Sequence, residues 1–146
     1  MDWAPILRLL LLAGTIALLP LGWLWLRQRG ASVHTRLAAL VALTMFLTFD
    51  LIVFGAFTRL TDSGLGCPDW PGCYGHASPV GALTQIRAEE ARMPTGPVTH
   101  GKAWVEMVHR YLATGVGVLI LTLAVATWWQ RKRGLPVSPR WPAFTL

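Results

Sequence analysis

Three long apolar segments constrain the fold of this chain more than any other feature of its sequence. They run from Pro5 to Leu26, from Leu37 to Phe57 and from Trp104 to Trp129. Each reaches the about 20 residues that an α-helix needs to cross the hydrocarbon core of a bilayer. With 53% hydrophobic and only 14% charged residues, the chain lies far from the averages of soluble domains. The sequence therefore predicts an all-α, multi-pass membrane protein with a bundle of three transmembrane helices.

Basic residues predict the orientation, because short cytoplasmic loops are enriched in Lys and Arg. Residues 27–36 and residues 131–146 carry basic side chains and no acidic one, whereas residues 58–103 carry four of each sign. We therefore expect the 58–103 loop and the N-terminus on the outer side, and residues 131–146 as a basic cytoplasmic linker. The net charge of +6 then reflects topology and does not indicate a nucleic-acid partner.

The first apolar segment has two interpretations, a retained helix and a cleaved signal peptide. It lacks a basic region before the apolar run and a small-residue cleavage site, and its stronger positive cluster follows the run. These features favour a retained helix. Residues 1–36 are thus predicted to form an N-terminal transmembrane helix and a cytoplasmic loop.

The outer loop contains the only two cysteines, Cys67 and Cys73. On the outer side the redox environment allows a disulfide to persist, and five intervening residues permit a closed ring. A structural disulfide, an exchanging disulfide and free thiols all remain open, whereas a metal site is disfavoured because two thiolates need further ligands. Later in the same loop, residues 85–93 are expected to form a short surface helix.

Glu106 and His109 lie three residues apart near the outer end of the third apolar segment, which places them on one face of a helix. Ionisable groups at membrane depth are costly and usually serve a site. A neutral imidazole can ligate haem iron, and a nearby carboxylate can exchange protons or stabilise positive charge. The alternative is a helix end that is merely polar, since Lys102 and Arg110 lie close by.

Four further ionisable residues have weaker signals. Asp50 lies inside the second segment, where it either makes a polar contact within the bundle, pairs with Arg110 or relays protons. His34, His76 and His100 are expected to be solvated, with ligation as the minor alternative for each.

The stretch TRLTDSGLGCPDWPGCYG, residues 58–75, together with EMVHR, residues 106–110, resembles the haem A synthase family over about Leu37 to Gln130. The resemblance implies a partial version of an eight-helix membrane fold, built from two pseudo-symmetric four-helix halves that each carry a pair of haem-ligating histidines. It also implies oxidation of the C8 methyl group of haem O to a formyl group by successive hydroxylations, which makes haem A for cytochrome c oxidase. In that family the C-terminal half holds a haem b cofactor, and the N-terminal half receives haem O.

The resemblance assigns roles to residues that match the family motifs. His109 resembles a haem-ligating histidine and Glu106 an essential carboxylate that stabilises positive charge on the substrate methyl group. Cys67 and Cys73 resemble a cysteine pair with electron-transfer or structural roles.

Two arginines are added to the candidate site residues because of their charge and their depth in the membrane. We expect Arg59 and Arg110 to bind haem propionates by charge-assisted hydrogen bonds.

Large parts of the family pattern have no counterpart in this chain. Residues 37–57 and 104–129 correspond to the first two family helices, and Pro5 to Leu26 is an addition before them. The second histidine of the N-terminal half and both cofactor histidines are missing. We therefore expect a fragment or a truncated gene product, inactive alone, unless a second polypeptide supplies the remainder.

The resulting interpretation is the N-terminal part of a haem A synthase in the plasma membrane of a bacterium. Expected partners are membrane lipid, haem O, haem O synthase, cytochrome c oxidase assembly factors and a second copy of the chain. One alternative is a haem-binding or oxidase assembly module without catalysis of its own. Another is a membrane thiol–disulfide protein that exchanges electrons through its cysteines.

Overall fold

The computed structural model describes residues 4–132, and over that range every regular element is a helix. The four helices are α1, Ala4–Arg27; α2, Val33–Leu60; α3, Leu83–Arg92; and α4, His100–Lys132. The all-α prediction is confirmed. Most of the predicted cytoplasmic linker, residues 133–146, lies outside the described residues.

Two of the helices, α2 and α4, are long and apolar enough to cross a membrane. They contain 28 and 33 residues and extend the predicted segments at both ends. At ~1.5 Å per residue, α4 is about 50 Å long, so it extends beyond a hydrocarbon core of about 30 Å. Helix α1 is confirmed as a helix of 24 residues, and its crossing of the membrane stays a prediction.

Large apolar side chains lie on the surface of α2, where a soluble protein would place polar ones. Phe46, Phe49 and Ile52 are each more than half exposed. An apolar surface of this kind is stable when lipid tails or other apolar helices cover it, because water would otherwise have to solvate it. The exposed faces therefore agree with a membrane protein.

Residues 4–13 and 51–114 belong to one compact unit, which is called the outer unit after its predicted side of the membrane. Its core lies in the 58–103 loop and the beginning of α4. Six buried residues form this core: Cys67, Cys73, Ala82, Ile86, Ala103 and Met107. A disulfide joins the two cysteines, with their Cα atoms 4.9 Å apart, which confirms the predicted bond. Helix α3 confirms the predicted surface helix and buries its Ile86 side chain in the same core.

Residues 14–50 and 115–132 belong to a second compact unit. On α4 its buried side chains recur at helical spacing, with Val116, Leu119 and Leu123 on one face. The buried Thr44 hydroxyl donates to the Leu40 carbonyl oxygen at 2.8 Å. This local hydrogen bond satisfies the polar group without a partner from another helix.

Gly66 lets the disulfide loop lie directly against the backbone of α4. A Cβ atom on Gly66 would lie 2.5 Å from both the Lys102 carbonyl carbon and the Ala103 nitrogen. Backbone atoms cannot move aside as the end of a flexible side chain can. The contact between loop and helix therefore requires glycine at this position.

We predict that Gly66→Ala destabilises the outer unit by about 1 to 3 kcal/mol, the usual cost of overpacking a tight contact. Gly64→Ala is the matched control, because no atom lies within 4 Å of the added Cβ, and it should change stability by less than about 0.5 kcal/mol. Unfolding of the purified protein in detergent, followed by tryptophan fluorescence, measures both. Equal stabilities of the two variants would contradict the close contact at Gly66.

Candidate functional site

The first three turns of α4 present a buried ion pair. Glu106 and Arg110 are four residues apart, so their side chains meet on one helix face, and an Arg110 Nη2 hydrogen bond to Glu106 Oε1 joins them. The Glu106 side chain is 8% exposed and that of Arg110 is 16% exposed. Burial of both partners strengthens their attraction and makes the loss of either one costly.

The second carboxylate oxygen of Glu106 binds the disulfide loop. The backbone N–H of Cys67 donates to Glu106 Oε2 at 2.8 Å. Both oxygens of this carboxylate therefore have a protein donor, and Glu106 is fixed in one orientation between α4 and the loop.

Arg110 also binds this loop, through carbonyl groups that lie between the two bonded cysteines. Its Nη1 atom donates to the Asp69 carbonyl oxygen at 2.7 Å and to the Gly72 carbonyl oxygen. The Asp69 carboxylate accepts hydrogen bonds from the backbone N–H groups of Tyr74 and Gly75. Backbone groups that would otherwise be unsatisfied in this turn are thus bound by two charged side chains.

A tyrosine near the end of the loop is protonated over the physiological range of pH. Burial, and then the negative charges of Glu89 and Asp69, raise the pKa of the Tyr74 hydroxyl above 10.0, with Arg92 acting in the opposite direction. The Tyr74 side chain therefore packs against the loop core as a neutral group.

His109 lies on another side of α4 and faces the outer end of α2. Its imidazole stacks with Phe54, with ring centroids 6.2 Å apart. A Cβ atom on Gly55 would lie 2.9 Å from His109 Nε2, so the glycine provides the space that the ring occupies. Gly55 and Phe54 together set the position of this imidazole.

The predicted pair of Glu106 and His109 thus belongs to two adjoining sets of contacts. Glu106 is held by the disulfide loop and Arg110, whereas His109 lies against α2. Within residues 4–132 no group of three or more His, Cys, Asp and Glu side chains could hold a metal ion.

The other residues predicted from the sequence make fewer side-chain contacts. Arg59 is exposed in the last turn of α2, and no hydrogen bond or ion pair joins its side chain to another of residues 4–132. Asp50 is also exposed, and its side chain has no such partner in the same range. Arg110 pairs with Glu106, so the alternative in which Asp50 pairs with Arg110 is not observed. The His100 Nε2 atom accepts a 3.3 Å hydrogen bond from Trp104.

Three contributors to this region were missed by sequence reasoning. They are Gly55 beside His109, Asp69 as the acceptor for two loop N–H groups, and Tyr111, whose hydroxyl donates to the Ala77 carbonyl oxygen. Asp69 carried a partial signal, because Asp in a turn-rich stretch commonly accepts a hydrogen bond from a nearby backbone N–H, but the N–H groups that it binds lie five and six residues further on. Nothing local in the sequence indicates the partners of Gly55 and Tyr111.

Comparisons with known proteins identify relatives of much greater length. The sequence profile of the COX15-CtaA family, described as cytochrome oxidase assembly protein, matches residues 38–146. The heme A synthase of Shewanella oneidensis is 43% identical over 88 residues, covering 60% of this chain and 27% of that protein. That of Sinorhizobium medicae is 30% identical over 132 residues, covering 77% of this chain and 35% of that protein.

The chain is also similar to a protein that is not named a heme A synthase. The protoheme IX farnesyltransferase of Roseiflexus sp. is 27% identical over 114 residues, covering 77% of this chain and 17% of that protein. No solved structure matches the chain. The chain spans about a third or less of the length of these relatives, and the family match begins after α1.

We predict that Glu106→Gln, which keeps the shape of the side chain and removes its charge, destabilises the outer unit by about 3 kcal/mol, because Arg110 is then left buried and unpaired. Glu89→Gln is the matched control. It breaks the pair with Arg92, whose side chains are 75% and 39% exposed for Arg92 and Glu89, and should cost at most about 1 kcal/mol. Unfolding titrations give both values, and a smaller loss for Glu106→Gln than for Glu89→Gln would contradict the buried pair.

Proposed function

Because the chain belongs to the COX15-CtaA family of cytochrome oxidase assembly proteins, we propose that it is the N-terminal part of a haem A synthase that oxidises the C8 methyl group of haem O to a formyl group. The observation that carries the proposal is the juxtaposition, on the first turns of α4, of a loop-bound carboxylate at Glu106 and an α2-facing imidazole at His109. The heme A synthase names of the relatives support the same reaction.

His109 would bind the iron of the substrate haem. Haem supplies the redox chemistry once it is bound, and the protein supplies ligation, orientation and electrostatics. Phe54 and Gly55 contact the His109 imidazole and would set its orientation. The other ligands of this haem, and those of the haem b cofactor, would come from further helices or from a second polypeptide.

Glu106 would stabilise the positive charge that develops on the substrate methyl carbon during oxidation. A fixed negative charge in a site shielded from water stabilises such charge strongly, because no reorganisation is needed when the charge develops. The hydrogen bonds from Cys67 N–H and Arg110 supply the required fixed orientation.

Arg59 is proposed to bind a haem propionate, since its side chain is exposed at the outer end of α2. For Arg110 the propionate contact stays a prediction, because its guanidinium already has three protein acceptors. The proposed setting is a bacterial plasma membrane with the 58–103 loop outside, and haem O synthase and oxidase assembly factors as partners.

The thiol–disulfide alternative is disfavoured by burial. Cys67 and Cys73 are 4% and 0% exposed, and thiol–disulfide exchange requires direct attack on a sulfur atom.

The haem-binding module differs from the proposed enzyme in one respect that can be measured, which is whether the 146-residue chain binds haem without further helices.

We expect haem to bind a longer chain, which carries the remaining helices of the family, at least about tenfold more tightly than its His109→Ala variant, a difference of about 1.4 kcal/mol. The control is His34→Ala, which removes an exposed histidine at the start of α2 and should leave the affinity unchanged. Titration with haem, followed by its Soret absorption, gives the affinities. Equal affinities for the two variants would contradict ligation by His109, whereas tight binding by the 146-residue chain alone would favour the module.

We expect Glu106→Gln in the same longer chain to lower conversion of haem O per bound haem by about 100-fold or more, the usual range for loss of one preorganised electrostatic group. Haem binding itself should persist, because the imidazole of His109 does not contact Glu106. Chromatography of the extracted haems measures conversion. Proportional loss of binding and conversion would contradict a catalytic role for this carboxylate.

A further inference from the structure

We propose that Arg110 is a positioning residue that couples the ring closed by Cys67 and Cys73 to the Glu106 carboxylate, so that opening the disulfide changes how Glu106 is held. The catalytic consequence rests on the proposed function of Glu106. The coupling itself is a property of contacts that exist without haem.

The Arg110 guanidinium contacts both the loop and α4. Arg110 donates to acceptors on two separate segments, namely the Asp69 and Gly72 carbonyl oxygens of the loop and the Glu106 carboxylate of α4. A planar fork can satisfy such a divergent set, whereas the compact ammonium of lysine cannot span it. Arg110 is therefore a bridge between loop and carboxylate.

The pair of Arg110 and Glu106 is largely buried. The Arg110 and Glu106 side chains are 16% and 8% exposed, so water cannot readily replace a lost partner. The chain offers an internal contrast in the pair of Arg92 and Glu89, which is largely exposed and holds no loop. A change at Arg110 therefore has structural consequences that a change at Arg92 does not.

The disulfide between Cys67 and Cys73 closes the ring that contains the loop acceptors of Arg110. Asp69 and Gly72 both lie between the bonded cysteines, and Cys67 itself donates its N–H to Glu106. The disulfide thus fixes the spacing of the groups that bind Arg110 and of the one that binds Glu106 directly. Without the bond, residues 67–73 regain conformational freedom, and these contacts no longer form as one set.

Opening the ring requires a dithiol reductant. The dithiol transfers two electrons and two protons, the sulfur–sulfur bond breaks, two cysteine thiols form, and the dithiol becomes a disulfide. Cys73 is fully buried, so attack on the bond requires the loop to lift from α4. Since Arg110 holds the loop down, it should also slow reduction.

The first test uses the unmodified 146-residue chain and dithiothreitol. We expect the infrared carboxylate band that is absent from Glu106→Gln to shift when the disulfide is reduced. Such a shift reports the hydrogen bonding of one carboxylate, which general loosening elsewhere does not move. A Glu106 band that is identical in the oxidised and reduced chain would overturn the proposal.

The second test compares Arg110→Lys with the matched control Arg92→Lys, which keeps charge in the same way at an exposed pair. Arg110→Lys should speed reduction of the disulfide by about tenfold or more, since several charge-assisted hydrogen bonds are lost, and should weaken the redox-linked infrared shift. Arg92→Lys should change neither. Alkylation of the released thiols followed by mass spectrometry gives the rates, and equal rates for the two variants would overturn the proposal.

If Arg110→Lys does not fold, the infrared comparison on the unmodified chain decides the question. Neither readout uses haem. A failure of haem binding or conversion would therefore count against the proposed function, whereas an unlinked Glu106 band would count against the coupling alone.

Discussion

The buried ion pair between Glu106 and Arg110 organises the outer half of this protein. Two charges away from water are stable only when their hydrogen-bonding capacity is used, and here the unmet capacity is supplied by one short loop. Cys67 donates to the carboxylate, and the loop carbonyls of Asp69 and Gly72 accept from the guanidinium. The ion pair therefore requires the loop, and the loop requires the ion pair.

This mutual dependence explains the composition of the loop. Close approach to α4 requires Gly66, the turn requires the Asp69 carboxylate as an acceptor, and the disulfide limits the freedom of the ring. His109 lies outside this network and against α2. A buried ion pair thus lies beside an imidazole that packs against an aromatic ring and a glycine.

The helices could be predicted because their signal is continuous along the sequence. Long apolar segments predicted α2 and α4, and the expected outer position of the loop allowed a bond between Cys67 and Cys73. The partners within the site could not be predicted in the same way. Cys67 and Glu106 are 39 residues apart in sequence, and Asp69 and Arg110 are 41 apart. Their contacts depend on a loop without periodicity, in which a single glycine decides whether the backbone can approach.

Helical spacing also could not predict that Glu106 and His109 belong to two different sets of contacts. A separation of three residues places both on neighbouring parts of α4, but the packing of Gly55 and of the disulfide loop decides what each one faces. The proposed function depends on iron binding at His109. Electron–nuclear double resonance of the haem-loaded longer chain, with ¹⁵N-labelled histidine, tests this directly. The account predicts an axial ¹⁵N coupling that His109→Ala removes and His34→Ala preserves, whereas an unchanged set of axial couplings in His109→Ala would contradict it.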